Sequence, residues 1–395
     1  VRRTLARRPL PAGDWHLIAI GKAAGAMAHG AVAALGARVA GGCVVVPAGH
    51  LPAEFTAESS GLRVLIASHP VPDERSLEAG EAVVQYVCSL PPQAQLLFLI
   101  SGGASSLLER LRPGVTLTEL QEFNRWALQS GLPIDAVNQL RGRLSRLKAG
   151  GLAQLVAPRR ARVLLVSDVP GDDPRLIGSG LLHAPRPAAE PAGVAQLPTR
   201  MSEIFARAAP AGASLHTTRP IPTRIIASGR IACAAAAAAA TAQGLQASVV
   251  RSRYAGDAAR LGQRYARELA RQPIGMVRIR HGESTVRLPP GAGRGGRNQH
   301  LALAAAIELE RRGLTGACLL AAGTDGIDGA SPDAGAVVDA GTCVRARDAG
   351  HDPGVSLERA DSGSVLEASG DLLHTGATLT NVGDLVLALD AGAVR

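Results

Sequence analysis

Between residues 15 and 168 one pattern recurs: a short apolar run, a small polar loop, then a stretch of helix formers. The runs are WHLIAIG (15–21), GCVVVP (42–47), LRVLIAS (62–68), QLLFLIS (95–101) and RVLLVSD (162–168). Strands this apolar are buried on both faces, and helical stretches between them make the connections crossovers and the sheet parallel. The fold class this predicts is α/β. Most of the runs end in Gly, Ser, His or Asp, residues suited to the carboxyl edge of an open sheet, where ligands bind near the point at which the strand order reverses.

A second set of runs follows a Pro- and Ala-rich segment, HAPRPAAEPAGVAQLP (183–198): TRIIAS (223–228), QASVV (246–250), IGMVRIRHGESTVRL (274–288), GACLLAAG (316–323) and LVLAL (385–389). The segment reads as a linker. It divides the 395 residues into an N-terminal Rossmann-like α/β domain, 1–200, and a smaller C-terminal α/β domain, 201–395. Alternation around His281-Gly282-Glu283 predicts a hairpin, and hence a mixed sheet in the second domain. The alanine tract Ala234 to Ala240 reads as a helix following a strand.

Composition narrows the partners. No run reaches the ~20 apolar residues of a membrane span, and VRRTLARRPLPAGDW at the start lacks the apolar core of a signal peptide. Five dispersed cysteines without a C-x-x-C pair argue against a disulfide framework or a zinc knuckle, so a cytoplasmic location is expected. The net charge is +9, yet aromatic residues are only 2%, too few to stack bases of single-stranded nucleic acid. An anionic small molecule is the expected partner; an arginine-rich composition without a ligand is the plain alternative.

Six glycine-rich stretches carry the candidate chemistry. In FLISGGASSLLE (98–109), Ser101, Gly102, Gly103, Ser105 and Ser106 lie where a strand gives way to helix formers, a turn that exposes backbone N–H groups to an anion. It is not a nucleophile elbow, because the required glycine after the serine is missing. AIGKAAGAMAHGA (19–31) sets Lys22 at a helix start without matching a Walker A loop or G-x-G-x-x-G. NQLRGRLSRLKAGGLAQ (138–154) spaces Arg141, Ser145 and Lys148 along one helical face. VSDVPGDDPRLIGSGLL (166–182) ends a strand in Asp168, a frequent magnesium position, and adds a turn at Gly178-Ser179. Asp172 and Asp173 are equally explained as turn formers.

GAGRGGRNQHLALAAAIEL (291–309) places Arg294, Arg297 and Asn298 at the opening of an amphipathic helix, where a guanidinium can clamp a phosphate or carboxylate. AAGTDGIDGASPDAGAVVD (321–339) lays Asp325, Asp328 and Asp333 on one turn, outside the register of an EF-hand. Each stretch alone is equally explained as a tight turn or a solvated face. Together they supply carboxylates for a divalent cation, basic groups for phosphate charge and N–H groups for oxyanions, the parts that phosphoryl transfer uses.

Eight blocks, GKAAGAMA, SHPVPDERSLEAG (68–80), LISGGASSLL, LSRLKAGGLA, SDVPGDDPRLIGSG, GGRNQH, GTDGIDGASPDAGAVVD and HTGATLTNVGDL (374–385), resemble in order those of the glycerate 2-kinase family, whose members are often labelled hydroxypyruvate reductases. The resemblance runs from about residue 14 to the end. It implies two α/β domains, the second of MOFRL type, with the active site in the cleft between them, and conversion of D-glycerate to 2-phosphoglycerate with ATP and Mg2+.

The family's basic pair falls on Lys22 and Arg297, the expected catalytic residues. Ser101, Gly102, Gly103, Ser105, Ser106, Lys148, Gly178, Ser179 and Asn298 are the expected substrate or phosphate ligands, and Asp168, Asp325 and Asp328 the expected metal ligands. His300 stands where an acidic residue is common in the family and is left out of that set. Glycerate and ATP are the expected partners, with neither nucleic acid nor membrane, for a monomer or homodimer. The rivals are an NAD(P)H-dependent hydroxypyruvate reductase, which needs an acidic residue ending the second strand where this chain has VVVPAGH, and a non-catalytic sugar-phosphate sensor, which has no need of the aspartates.

Overall fold

A computed structural model describes residues 1–55, 61–185, 197–208 and 220–392. Most of the expected linker, 186–196, lies outside the described residues. The chain divides into two compact units, Val1–Ile226 and Ala227–Arg395, a division 26 residues beyond the one drawn from the linker's composition.

In the first unit β1 (Trp15–Ile20), β2 (Val39–Val46), β3 (Arg63–Ile66), β4 (Gln95–Ile100), β5 (Arg160–Ser167) and β6 (Thr223–Ser228) form one sheet in the order β3-β2-β1-β4-β5-β6. The first five pair in parallel. The order reverses between β1 and β4, the arrangement of a doubly wound sheet. Ile18, Ile20, Phe98 and Ile100 join one core with Val83 and Val87 of the helix Glu74–Ser89. Leu17 and Leu97 are buried as well, so both faces are covered, and each such side chain contributes about 1.5–3 kcal/mol. The helix starts on a capping box of Asp73 and Ser76.

A satellite core of Leu120, Phe123, Leu140, Ile204 and Phe205 binds the helices Leu117–Gln129, Ile134–Leu144 and Thr199–Arg207. That last helix and β6 had been expected in the second domain. Nothing within TRIIAS distinguishes one sheet from another; its place beside β5 is fixed by pairing that no local pattern encodes.

In the second unit β7 (Gln246–Val249), β9 (Met276–Thr285), β10 (Ala317–Gly323), β11 (Gly335–Asp339), β12 (Leu372–Leu373) and β13 (Asp384–Asp390) run in the order β12-β11-β10-β13-β9-β7, with β8 (Tyr254–Asp257) also paired to β9. The sheet is mixed, as expected, because β13 is antiparallel to β9 and β10 while β7 and β8 are parallel to β9.

The expected hairpin does not form: β9 continues through His281-Gly282-Glu283. Gly282 serves close approach, since a Cβ there would stand 2.3 Å from the Tyr254 carbonyl oxygen on β8. One face packs Leu261 and Tyr265 of the helix Ala258–Leu269 against Leu301 and Leu309 of the helix Arg297–Arg311. The alanine tract does form a helix, Gly229–Ala242, whose Cys233 packs on Val277 and Ile279.

Candidate active site

The end of β1 and the end of β4 meet where the strand order of the first sheet reverses. Lys22 N–H donates to the Gly102 carbonyl at 2.9 Å and Ser101 N–H to Ile20 at 3.0 Å; Ala23 N–H donates to Ser101 Oγ at 3.0 Å. Gly21 adopts φ +126°, and a Cβ there would stand 2.2 Å from Ser101 Oγ, so no other residue fits.

The next two glycines admit three side chains. A Cβ on Gly102 would lie 2.2 Å from Asp168 Oδ2, and one on Gly103 would lie 2.8 Å from His69 Cδ2 and 3.3 Å from Lys22 Cγ. Asp168 after β5, His69 after β3 and Lys22 after β1 therefore close on a single turn. His50 Nδ1 donates to the Lys22 carbonyl at 3.2 Å. Burial, then the charges of Lys22 and His50, push His69 down to about 4, so its ring is neutral at physiological pH. Lys22 is one of only two lysines in the chain, and its ammonium has no ion-pair partner among the described residues.

The serine hydroxyls bind the loops to one another. Ser105 Oγ and Ser179 Oγ are 2.8 Å apart, Ser179 Oγ donates to Asn138 Oδ1 at 2.9 Å, and Ser106 Oγ donates to the Gly103 carbonyl at 3.1 Å. The helix after Gly103 is a single turn, Ala104–Leu107. Gly178 has φ +59° and Ser179 φ +55°. The Ser179 and Gly180 carbonyls accept from Ala149 and Gly150 N–H at 3.0 and 2.7 Å, which attaches this turn to residues 148–151.

The expected basic face on 141–148 is not formed. The helix stops at Leu144, with Ser145 extended, and Lys148 turns into the interior, 3% exposed, where Nζ pairs with Glu109. Burial lowers the Lys148 pKa against the opposing pull of Glu109. This ammonium ties the 101–109 segment to the 148–151 turn and is already neutralised. Arg141 donates to Asn124 Oδ1 at 3.2 Å and to Asn138 Oδ1 at 3.4 Å.

The second unit gathers its polar loops at one sheet edge, where Gly323 pairs with Asp384, Asp384 with Gly282, and Gly335 with Leu373. Arg297 clamps Asp384 through Nε–Oδ2 at 2.6 Å and Nη2–Oδ1 at 2.8 Å, with Glu283 at 3.7 Å. Burial acts to lower the Arg297 pKa, but the hydrogen bonds and charge of Asp384 outweigh it and hold it above its usual value.

Asp328 caps the same helix from a distant loop, accepting from Asn298 N–H at 3.0 Å, Asn298 Nδ2 at 3.1 Å and Gln299 N–H at 2.7 Å. Burial raises its acid to about 6 in spite of these donors. Asn298 Nδ2 is thus engaged by Asp328, while its buried Oδ1 has no hydrogen-bond partner among the described residues. Asp325 Oδ1 accepts from Ile327 N–H at 3.3 Å. His300, buried, lies 3.1 Å from Ser362 Oγ through Nδ1, a core contact.

Among the described residues no three His, Cys, Asp or Glu side chains converge to hold a metal. Magnesium does not require such a group, since it keeps waters and takes one or two carboxylates plus substrate phosphates. Asp168 against Gly102 and Asp325 on its turn fit that manner of binding; Asp328, enclosed by three N–H donors, does not. His69, Glu109 and Asp384 were not singled out from sequence. His69 lies in the SHPVPDER block and Asp384 in HTGATLTNVGDL, so the signal was present without an assigned role.

The family models that match are "Domain of unknown function (DUF4147)" over residues 2–195 and the "MOFRL family" over residues 276–384. A protein of Agrobacterium vitis with hydroxypyruvate reductase in its name is 37% identical, covering 95% of this chain and 87% of that protein. The D-glycerate 2-kinase of Thermotoga maritima is 34% identical, covering 94% of this chain and 90% of the relative. The crystal structure of glycerate kinase from Thermotoga maritima superimposes with a TM-score of 0.86 at 33% identity, over 98% of this chain and 95% of the other. Similarity of this extent, over both units and the loops just described, means that the chain belongs to the glycerate kinase family.

Proposed function

We propose that this chain phosphorylates D-glycerate at O2 with MgATP as donor. The observation that carries the reading is Lys22, whose ammonium has no partner among the described residues and stands at the reversal point of a doubly wound sheet beside a Gly102-Gly103 turn. Phosphoryl transfer demands positioning and neutralised charge more than covalent chemistry. Lys22 provides a point charge for the transferred group, and the neutral His69 ring beside it keeps that charge from being shared with a second cation. Arg297, oriented by two bonds to Asp384, provides the other.

Magnesium would arrive with the nucleotide and neutralise its phosphate oxygens, with Asp168 and Asp325 as the carboxylates that fit it. The reductase in the name of the Agrobacterium relative has less support. β2 ends in Val46 and is followed by Pro47, with no acidic residue for a dinucleotide ribose.

Incubation with ATP, Mg2+ and D-glycerate, followed by phosphorus NMR, distinguishes the 2- from the 3-phosphate. The expected product is 2-phosphoglycerate. A product that is solely the 3-phosphate, or NADH oxidation with hydroxypyruvate and no ATP turnover, overturns the reading.

A further inference from the structure

One pair of side chains at the polar edge of the second unit has no part in the scheme above. His374 Nδ1 stands 2.6 Å from Asp333 Oδ1, and the other carboxylate oxygen accepts from Ser331 Oγ at 2.6 Å. Asp333 is 5% exposed, whereas the His374 side chain is 70% exposed. A buried carboxylate, itself held by a hydroxyl, that engages one nitrogen of an open imidazole selects the tautomer. Nδ1 carries the proton toward Asp333, and Nε2 is left as an acceptor facing solvent. Stability alone is a poor reason for the arrangement, because desolvating the carboxylate offsets much of the contact.

The position suits a substrate. Leu373 pairs with Gly335, Ala322 with Gly335 and Gly323 with Asp384. His374 thus follows a strand three spacings from Asp384, about 14 Å, and Arg297 rests on Asp384. The ground between is mostly backbone, since Gly326 lies against Gly376, where a Cβ would meet its carbonyl oxygen at 2.0 Å. An extended ligand lying across that turn can meet the guanidinium at one end and the imidazole at the other.

We propose that His374 Nε2 accepts the proton of the glycerate hydroxyl, with Asp333 as its positioning residue; this rests on the phosphotransferase reading above. The bond from O2 to the γ-phosphorus forms as the bond from that phosphorus to the β,γ-bridging oxygen breaks. The nucleoside diphosphate leaves with the electron pair, and the O2 proton goes to Nε2 and then to water. Among the described residues Asp333 faces His374 directly, and the turn packed against residues 375–378 carries Asp325.

The test measures kcat and both KM values from pH 5.5 to 9 for the full chain and for His374→Asn, His374→Gln and Asp333→Asn. His374→Asn keeps a donor near the place of Nδ1, and with it the Asp333 contact, but removes the acceptor. Both His374 variants are expected to lose about a hundredfold or more in kcat, the scale of a general base, with KM for ATP nearly unchanged and the acid limb of the profile gone. Asp333→Asn is expected to lose about tenfold in kcat with both KM values nearly unchanged, because the imidazole loses the partner that fixes its tautomer and orientation. If His374→Asn loses less than about tenfold, or if the acid limb survives in it, the dyad is a structural contact and the proposal is wrong. A wild-type chain without glycerate phosphorylation removes the underlying reading as well, whereas an active wild type with an active His374→Asn removes this proposal alone.

Discussion

Lys22 and Arg297 are the two basic groups assigned to phosphate, and their surroundings differ in kind. Lys22 stands on a turn made of glycines, beside a histidine that is neutral, with no carboxylate holding its ammonium among the described residues. Arg297 is clamped at two points by Asp384, on a helix whose first N–H groups are capped by Asp328. The first arrangement leaves a charge unspent for a ligand to neutralise. The second fixes a charge in direction, at the cost of sharing it. Lys22 should therefore matter most for the height of the barrier, and Arg297 for the geometry in which substrate is held.

The sharpest way to break that contrast is truncation. Lys22→Ala is expected to lower kcat by at least about a hundredfold, the scale of one preorganised transition-state charge, with the fold unchanged by circular dichroism. Lys22→Arg should rescue little of it, because the side chain passes within 3.3 Å of the Cβ position of Gly103 and a planar fork is not a point charge. If Lys22→Ala keeps its kcat and only raises KM, the lysine contributes uniform ground-state binding and the contrast falls.

Next in size is the glycine turn. Gly102→Ala puts a methyl 2.2 Å from Asp168 Oδ2, so the carboxylate must move. A fall of about thirtyfold in kcat/KM is expected, in line with displacement of a positioned group by an ångström. Unchanged kcat/KM would show that the approach of Asp168 to this turn is incidental.

In the second unit the two aspartates of the 325–328 turn should separate. Asp328→Ala removes a helix cap and should destabilise by about 1–2 kcal/mol in urea denaturation with its Mg2+ midpoint unmoved. Asp325→Asn should do the reverse and raise the Mg2+ midpoint severalfold, and Asp333→Asn should move that midpoint less. A magnesium midpoint shifted by Asp328→Ala and untouched by Asp325→Asn would exchange their roles.

These expectations draw on features of unequal visibility in the sequence. The parallel strands were legible because burial on both faces leaves unbroken apolar runs, and the loop positions because glycine marks them. Gly282 misled for the same reason: glycine signals either a turn or a close approach, and here Tyr254 comes close. Lys148 looked exposed because helical spacing was carried past Leu144, where the helix in fact ends. The partners that set each charge were out of reach. Glu109 lies 39 residues from Lys148 and Asp384 lies 87 from Arg297, and no local pattern reports a contact made through the fold.

The smallest expected effect concerns pH, and it separates the units by window. His69 has a folded value of about 4 against an ordinary 6.5. The folded state therefore binds fewer protons than the unfolded one between those values, and stability is lost as pH falls from 6.5 to 4. In the second unit Glu308, hydrogen-bonded first by Arg311 and also by Arg312, is lowered to about 2 from 4.5. Its contribution is complete above 4.5 and is lost as pH falls from there to 2. Each effect is expected to be about 1 kcal/mol once the partial exposure of the groups and their partners is allowed for. Hydrogen exchange at pH 5 should thus show weakened protection around His69 with the helix Arg297–Arg311 unaffected, and His69→Asn should remove the difference between pH 7 and pH 5. Equal loss of protection in both regions at pH 5 would mean that burial of the His69 ring does not govern the acid response of the first unit.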